Sequence, residues 1–177
     1  MKKILLFLLL ASVGCTSTKP SAQSNTSVAS NGQDGNTNFV VNGSNIQIPG
    51  KWQALNFEKS SGQQYFINED RVILAIAKNP KVGYEFFDPK KSDFENVYAF
   101  YKWDSDYMIQ KGLATNFILE DKESKFVIWK YNDKKSDNVF LFGNSKNHFV
   151  NLLIYTNLWD ENQKVEFLKN LYFLNNK

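Results

Sequence analysis

Apolar and polar positions alternate in short runs from residue 39 onward, the period-two signature of strands with one face buried. The first run, 39–41, is joined to 44–48 by Asn42-Gly43. Both loop residues tolerate positive φ, so the pair predicts a two-residue hairpin. Pro49-Gly50 ends it, 52–57 continues as a short edge strand, and Ser60-Ser61-Gly62 turns the chain. Runs 64–67 and 71–78, around the polar corner Asn68-Glu69-Asp70, make a second hairpin. Asn79-Pro80 stops it, because proline has no amide donor and restricts the residue before it.

The period changes at residue 92. Ser92-Asp93-Phe94-Glu95 reads as a capping box, in which hydroxyl and carboxylate each accept from the other's backbone amide, and Gly112 supplies the matching stop. Between them Phe94, Val97, Tyr98, Tyr101 and Met108 fall on one helical stripe, with Phe100, Trp103 and Tyr107 on a neighbouring one. A helix apolar over more than half its girth either packs a wide face on a sheet or leaves the Phe100, Trp103 and Tyr107 side open to a ligand or partner.

Four strands follow, over 115–120, 125–132, 139–143 and 148–156, with polar turns between the first three. In the second, Phe126 and Ile128 oppose Val127, Trp129 and Tyr131; in the fourth, Phe149, Leu153 and Tyr155 oppose Val150, Leu152 and Ile154. Strands apolar on both faces need cover on two sides. The expected class is therefore α+β, an antiparallel β-sheet with helices on both faces. A second cap over 160–163 starts a closing helix whose stripe is Val165, Phe167, Leu168, Leu171, Tyr172 and Leu174.

This order of elements resembles the PsbP-like fold family, to which many bacterial envelope lipoproteins belong. The resemblance covers 39–177 and rests on Ile46-Gln47-Ile48-Pro49-Gly50-Lys51-Trp52 after the opening hairpin, the helix over 92–111, the meander, and the closing Leu171-Tyr172-Phe173-Leu174. It implies a single α/β/α sandwich domain that serves as an interaction or assembly module and is not an enzyme. The family has no common catalytic residues, so none is carried over.

Ahead of that domain lie two segments of different character. Residues 1–14 run from Met1-Lys2-Lys3 through an apolar stretch of ten, 4–13, to Gly14, just before the only cysteine, Cys15. Ten helical residues span about 15 Å, half a bilayer's hydrocarbon, so this is a signal peptide and not a membrane span. Ser12-Val13-Gly14-Cys15 resembles the lipobox of bacterial lipoproteins, with Ser12 where Leu is usual. That resemblance implies cleavage before Cys15 and diacylglycerol on its thiol, and two acyl chains hold a protein stably at a membrane. Thr16 at the next position, and no acidic run after it, imply the periplasmic face of the outer membrane by the same resemblance. Residues 16–38 hold 15 Ser, Thr, Asn or Gly among 23. With Cys15 they read as a lipidated, flexible linker, about 25 Å long on average.

Composition narrows the chemistry. The chain has 177 residues, 42% hydrophobic and 22% charged, enough for one domain with its own core. Of its 27 aromatic residues, 26 lie in 39–177. With no cysteine after position 15, cohesion there comes from packing and not from disulfides. Once Lys2 and Lys3 are removed the net charge is +1, so nucleic acid is not an expected partner. His148 is the only histidine, which excludes Ser-His-Asp and Cys-His relays and the usual zinc clusters within one chain. The nine glycines form no phosphate-binding loop. Asp104 and Asp106 point about 200° apart on a helix and cannot share a substrate or metal. Glu120, Asp121 and Glu123 alternate with Lys122 and Lys125 as a solvated hairpin tip. No catalytic residue, metal or cofactor is expected.

What remains is aromatic. The connection 79–91 carries Val82, Tyr84, Phe86 and Phe87 around Gly83. A long loop this apolar is either packed as a lid or exposed for binding. Together with the helix it defines a candidate patch of Tyr84, Phe86, Phe87, Phe100, Trp103 and Tyr107. The leading functional expectation is a lipid-anchored periplasmic protein that binds another envelope protein. Its alternative is a lipoprotein whose aromatic side chains hold an apolar molecule or a sugar.

Overall fold

The computed structural model describes residues 27–31, 35–41 and 43–176. The expected signal peptide, Cys15 and most of the expected tether lie outside them. The described residues form mostly antiparallel sheet with two α-helices, as the alternation of strand-like and helical periods predicts.

A three-stranded sheet comes first: β1 (Ser27–Asn31), β2 (Asn36–Val41) and β3 (Ser44–Pro49), in that order. β2 and β3 form the expected hairpin, Val41 facing Ser44 across the turn and Gly43 at φ 75. Strand structure thus begins within the stretch that composition assigned to the tether. An edge strand such as β1 needs only backbone pairing to a strand already held, so Ser- and Asn-rich composition does not forbid it. β2 is held from below, because Thr37, Phe39 and Val41 are buried and the Thr37 hydroxyl donates to the Gly50 carbonyl at 2.6 Å while accepting from the Trp52 amide at 3.0 Å.

The large sheet has seven strands: β4 (Trp52–Glu58), β5 (Gln63–Asn68), β6 (Ile73–Pro80), β7 (Ala114–Asp121), β8 (Phe126–Asn132), β9 (Asp137–Ser145) and β10 (His148–Tyr155). Their spatial order is β4-β5-β6-β10-β9-β8-β7. After β6 the chain crosses to the far edge, runs back strand by strand, and lays β10 against β6 over eight residue pairs. The crossing is made by α1 (Asp93–Gln110), which begins with both arms of the Ser92/Glu95 capping box formed. It ends in a Schellman turn: the Leu113 amide reaches the Met108 carbonyl, the Gly112 amide reaches Ile109, and Gly112 sits at φ 78. α2 (Glu161–Asn175) carries the second capping box, Asp160 with Gln163.

Neighbouring side chains on one strand sort into two clusters. Phe126, Ile128, Val139 and Leu141 join Leu168 and Leu171 of α2 and, from the small sheet, Phe39, Val41, Ile46 and Ile48. Val127, Trp129, Phe140 and Phe142 join Val97 and Phe100 of α1. The first cluster differs from expectation in being shared between a helix and a second sheet. β2 and β3 supply a flat apolar surface that period-two alternation cannot distinguish from membership in the main sheet. The Asn175 side chain binds both backbone groups of Gln47 at 2.8 Å, so the end of α2 clasps an otherwise free edge of β3.

The second cluster is incomplete. α1 packs chiefly on β7, β8 and β9 and leaves part of the sheet face beside it uncovered. The space left open is the candidate site.

Candidate functional site

One wall of the site is the connection after β6. Pro80 ends the strand, and Lys81–Gly83 makes a single 3-10 turn closed by the Tyr84 amide on the Lys81 carbonyl. Lys81 is buried, and its ammonium lies 2.7 Å from Asp93 Oδ1 at the first turn of α1. Asp93 also meets Lys125 at 3.1 Å and the Asn144 side chain at 3.3 Å. The Lys81 hydrogen bond, with help from Lys125, holds the Asp93 carboxyl below its ordinary range. Asn96, buried on α1, accepts from the Asp88 amide and donates to the Asp88, Lys91 and Ser92 carbonyls. Both ends of the loop are therefore fastened to α1.

These fastenings turn the loop aromatics inward. Tyr84 packs among Phe86, Phe100, Trp103 and Phe149, with ring centroids 5.1–6.2 Å apart. Its hydroxyl accepts from Asn79 at 3.0 Å, and burial pushes its phenol above the ordinary range. Phe86 stacks on Phe100, and Phe87 meets Phe149 edge-on. Phe100 is 2% exposed and lies 4.0 Å over Phe142, so it is a core residue, not part of an open stripe. Trp103 and Tyr107 are 44% and 49% exposed. Val97, and not Tyr98, shares the buried face with Phe100. The six patch candidates thus grade from core (Phe100) through half-buried (Tyr84, Phe86, Phe87) to surface (Trp103, Tyr107).

Four of the six, Tyr84, Phe100, Trp103 and Tyr107, line a cleft of about 940 Å³ between α1, the 79–84 loop and the uncovered sheet face. The sheet contributes Tyr131, Phe140, Asn151, Leu153 and Tyr155, and the rim carries Ser60, Ser61, Gln63 and Asn79. Trp103 Nε1 donates to Glu85 Oε1 at 2.9 Å. Phe86 and Phe87 support the loop from behind.

Two polar groups at this site escape sequence reasoning. Asp104, one turn from Phe100, turns into the cleft, whereas Asp106 pairs with Lys102 outside at 3.0 Å. Burial pushes the Asp104 carboxyl up to about 6. Asn151 interrupts the apolar strand β10, and its Oδ1 is buried with no hydrogen-bond partner among the described residues. That interruption of an otherwise apolar strand is the sequence signal that could have marked it. Among the described residues no group of three or more His, Asp or Glu is placed to hold a metal, and no helix is long and apolar enough to cross a membrane.

Asp104 makes a stability prediction. A carboxyl raised in the folded state binds its proton there at a pH where the unfolded chain has released it, so the native state loses stability as pH rises from about 4 to 6. Discounted for the open mouth of the cleft, the loss is about 2 kcal/mol. Asp104→Asn is expected to raise the unfolding free energy by about that amount at pH 8 and by almost nothing at pH 3.5, measured by urea denaturation. An equal effect at both pH values would refute it.

No protein-family model and no curated protein matches the chain. Among solved structures, the solution structure of cyanobacterial PsbP (CyanoP) from Synechocystis sp. PCC 6803 is similar over 90% of this chain and 94% of that chain, at 14% identity and a TM-score of 0.35. A likeness at that identity and TM-score assigns neither family nor function.

Proposed function

We propose that this chain is a binding protein without chemistry of its own, anchored through lipid on Cys15 at the periplasmic face of the outer membrane, whose ligand enters the aromatic cleft beside α1. The observation that carries this reading is the cleft itself. It offers about 940 Å³, walls of Tyr, Trp and Phe, and in Asp104 a carboxylate with no charge partner among the described residues. Ligand sites have this build, an apolar lining with a few convergent polar atoms. The domain under this reading is a PsbP-like α/β/α sandwich, supported by the sorting of consecutive β8 and β9 side chains between α1 and α2.

A second reading, in which the same rim seats another envelope protein, is favoured by Val82, 82% exposed beside Trp103 and Tyr107. Native mass spectrometry of the full chain purified from its membranes separates the two. Under the first reading a small-molecule adduct accompanies the protein and is lost from Trp103→Ser/Tyr107→Ser, while the unfolding free energy changes by less than about 1 kcal/mol because both side chains are half exposed. A protein adduct with the same dependence supports the second, and an adduct indifferent to both substitutions overturns both. Failure of Cys15→Ser to release the protein from membranes would refute the anchor.

A further inference from the structure

The ligand's class can be read from what the cleft lacks, on the premise that the cleft is the binding site. Its lining contains a carboxylate, Asp104, and no Lys, Arg or His. The Asp104 carboxylate has no hydrogen-bond or charge partner among the described residues, burial alone acting on it. Further negative charge lies close by. Asp133 and Asp104 both oppose ionisation of the Tyr131 phenol, Asp104 opposes that of Tyr84, and Glu85 stands at the rim on Trp103. Around these acceptors stand the faces of Tyr and Trp rings, whose quadrupoles attract cations. One such contact is already made at the rim, where the Lys111 ammonium lies 5.1 Å from the centroid of Tyr107.

We propose that the cleft binds a protonated aliphatic amine, its ammonium donating to the Asp104 carboxylate and its alkyl chain lying along the aromatic wall. A neutral sugar would stack on the aromatic walls and give hydroxyl hydrogen bonds to the carboxylate but leave its charge unneutralised. A quaternary ammonium would meet the charge but has no N–H to give the carboxylate. A primary amine answers the carboxylate and the aromatic wall at once. Binding requires the Asp104 carboxylate, so it weakens as pH falls toward and below the carboxyl's midpoint.

Calorimetric titration of the detergent-solubilised full chain with 1,5-diaminopentane and n-pentylamine, against n-pentanol and tetramethylammonium, tests this. The amines are expected to bind at pH 8 at least tenfold more tightly than pentanol and several-fold more tightly than tetramethylammonium. They should lose about tenfold at pH 5, and at least tenfold at pH 8 in Asp104→Asn, which urea denaturation independently verifies as folded. Equal binding of pentylamine and pentanol, or unchanged binding in Asp104→Asn, overturns the proposal. If neither amine binds, the amine proposal fails. A native small-molecule adduct that still depends on Trp103 would then keep the cleft as a site for another class of ligand, and loss of that dependence as well would remove both.

Discussion

Asp93→Ala is expected to cost about 3 kcal/mol of stability, more than its half-exposed position on a helix would indicate, because the damage falls on Lys81. The Lys81 ammonium is buried and has Asp93 Oδ1 at 2.7 Å as its carboxylate partner. Removing one member of a buried pair leaves an uncompensated charge, which costs more than the pair contributed. The Phe149 ring, 5.8 Å from Lys81 Nζ, cannot replace it. Lys81→Met in the Asp93→Ala background should recover most of the loss, since the methionine refills the space without a charge. pH supplies a second check. The Asp93 carboxyl is held below its ordinary value, so its contribution is fully present above that value and disappears as pH falls through the lowered one. Acid unfolding below about pH 4 should therefore be steeper for the native chain than for Asp93→Ala. Thermal melting of Asp93→Ala within 1 °C of native would sink the prediction.

Gly143→Ala is expected to be comparably severe, at about 3 kcal/mol, for a different reason. Gly143 lies in β9, and a methyl group there would stand 2.3 Å from Cε2 and 2.9 Å from Cζ of Tyr172. That ring has little freedom to move. It is 2% exposed, its hydroxyl lies 2.9 Å from both the Ser124 and Asn144 carbonyls, and the Asn144 amide donates back to it at 3.3 Å. Burial pushes this phenol up to about 12. Overpacking a closed site costs about 1–3 kcal/mol, and the stiffer strand backbone gained with alanine returns only about 0.5–1. In a double-mutant cycle with Tyr172→Ala, the loss in the double mutant should fall short of the sum of the two single losses by at least about 1 kcal/mol, because the second substitution removes the obstacle met by the first. Additivity would show that the ring yields.

The loop 79–91 illustrates how far pattern reading reaches. Its apolar content, Val82, Tyr84, Phe86 and Phe87, marks it as either lid or contact surface, and the structure divides it between the two. Tyr84, Phe86 and Phe87 pack against the core, and Val82 is left in solvent. The deciding element is the Lys81–Asp93 pair, whose partners are twelve residues apart and belong to no local motif. Asp104 is a similar case. Helical geometry correctly separates it from Asp106, yet which of the two faces a cleft depends on where α1 stops over the sheet.

Local chemistry in the chain determines the strands, the two capping boxes, the Asn42-Gly43 hairpin and the glycine stop at 112, because each depends on groups a few residues apart whose hydrogen bonds or φ angles one short segment supplies. Strand adjacency is a different quantity. Two-faced apolar strands such as β8 and β9 are content beside many neighbours, and only packing the whole chain selects β10 against β6 and sends β2 and β3 to cover the other face. The cleft follows from that selection. It exists because α1 packs on the β7–β9 side of the sheet and leaves beside it a groove that Asn151, Leu153 and Tyr155 of β10 help to line, a fact of relative length and position that no residue carries by itself.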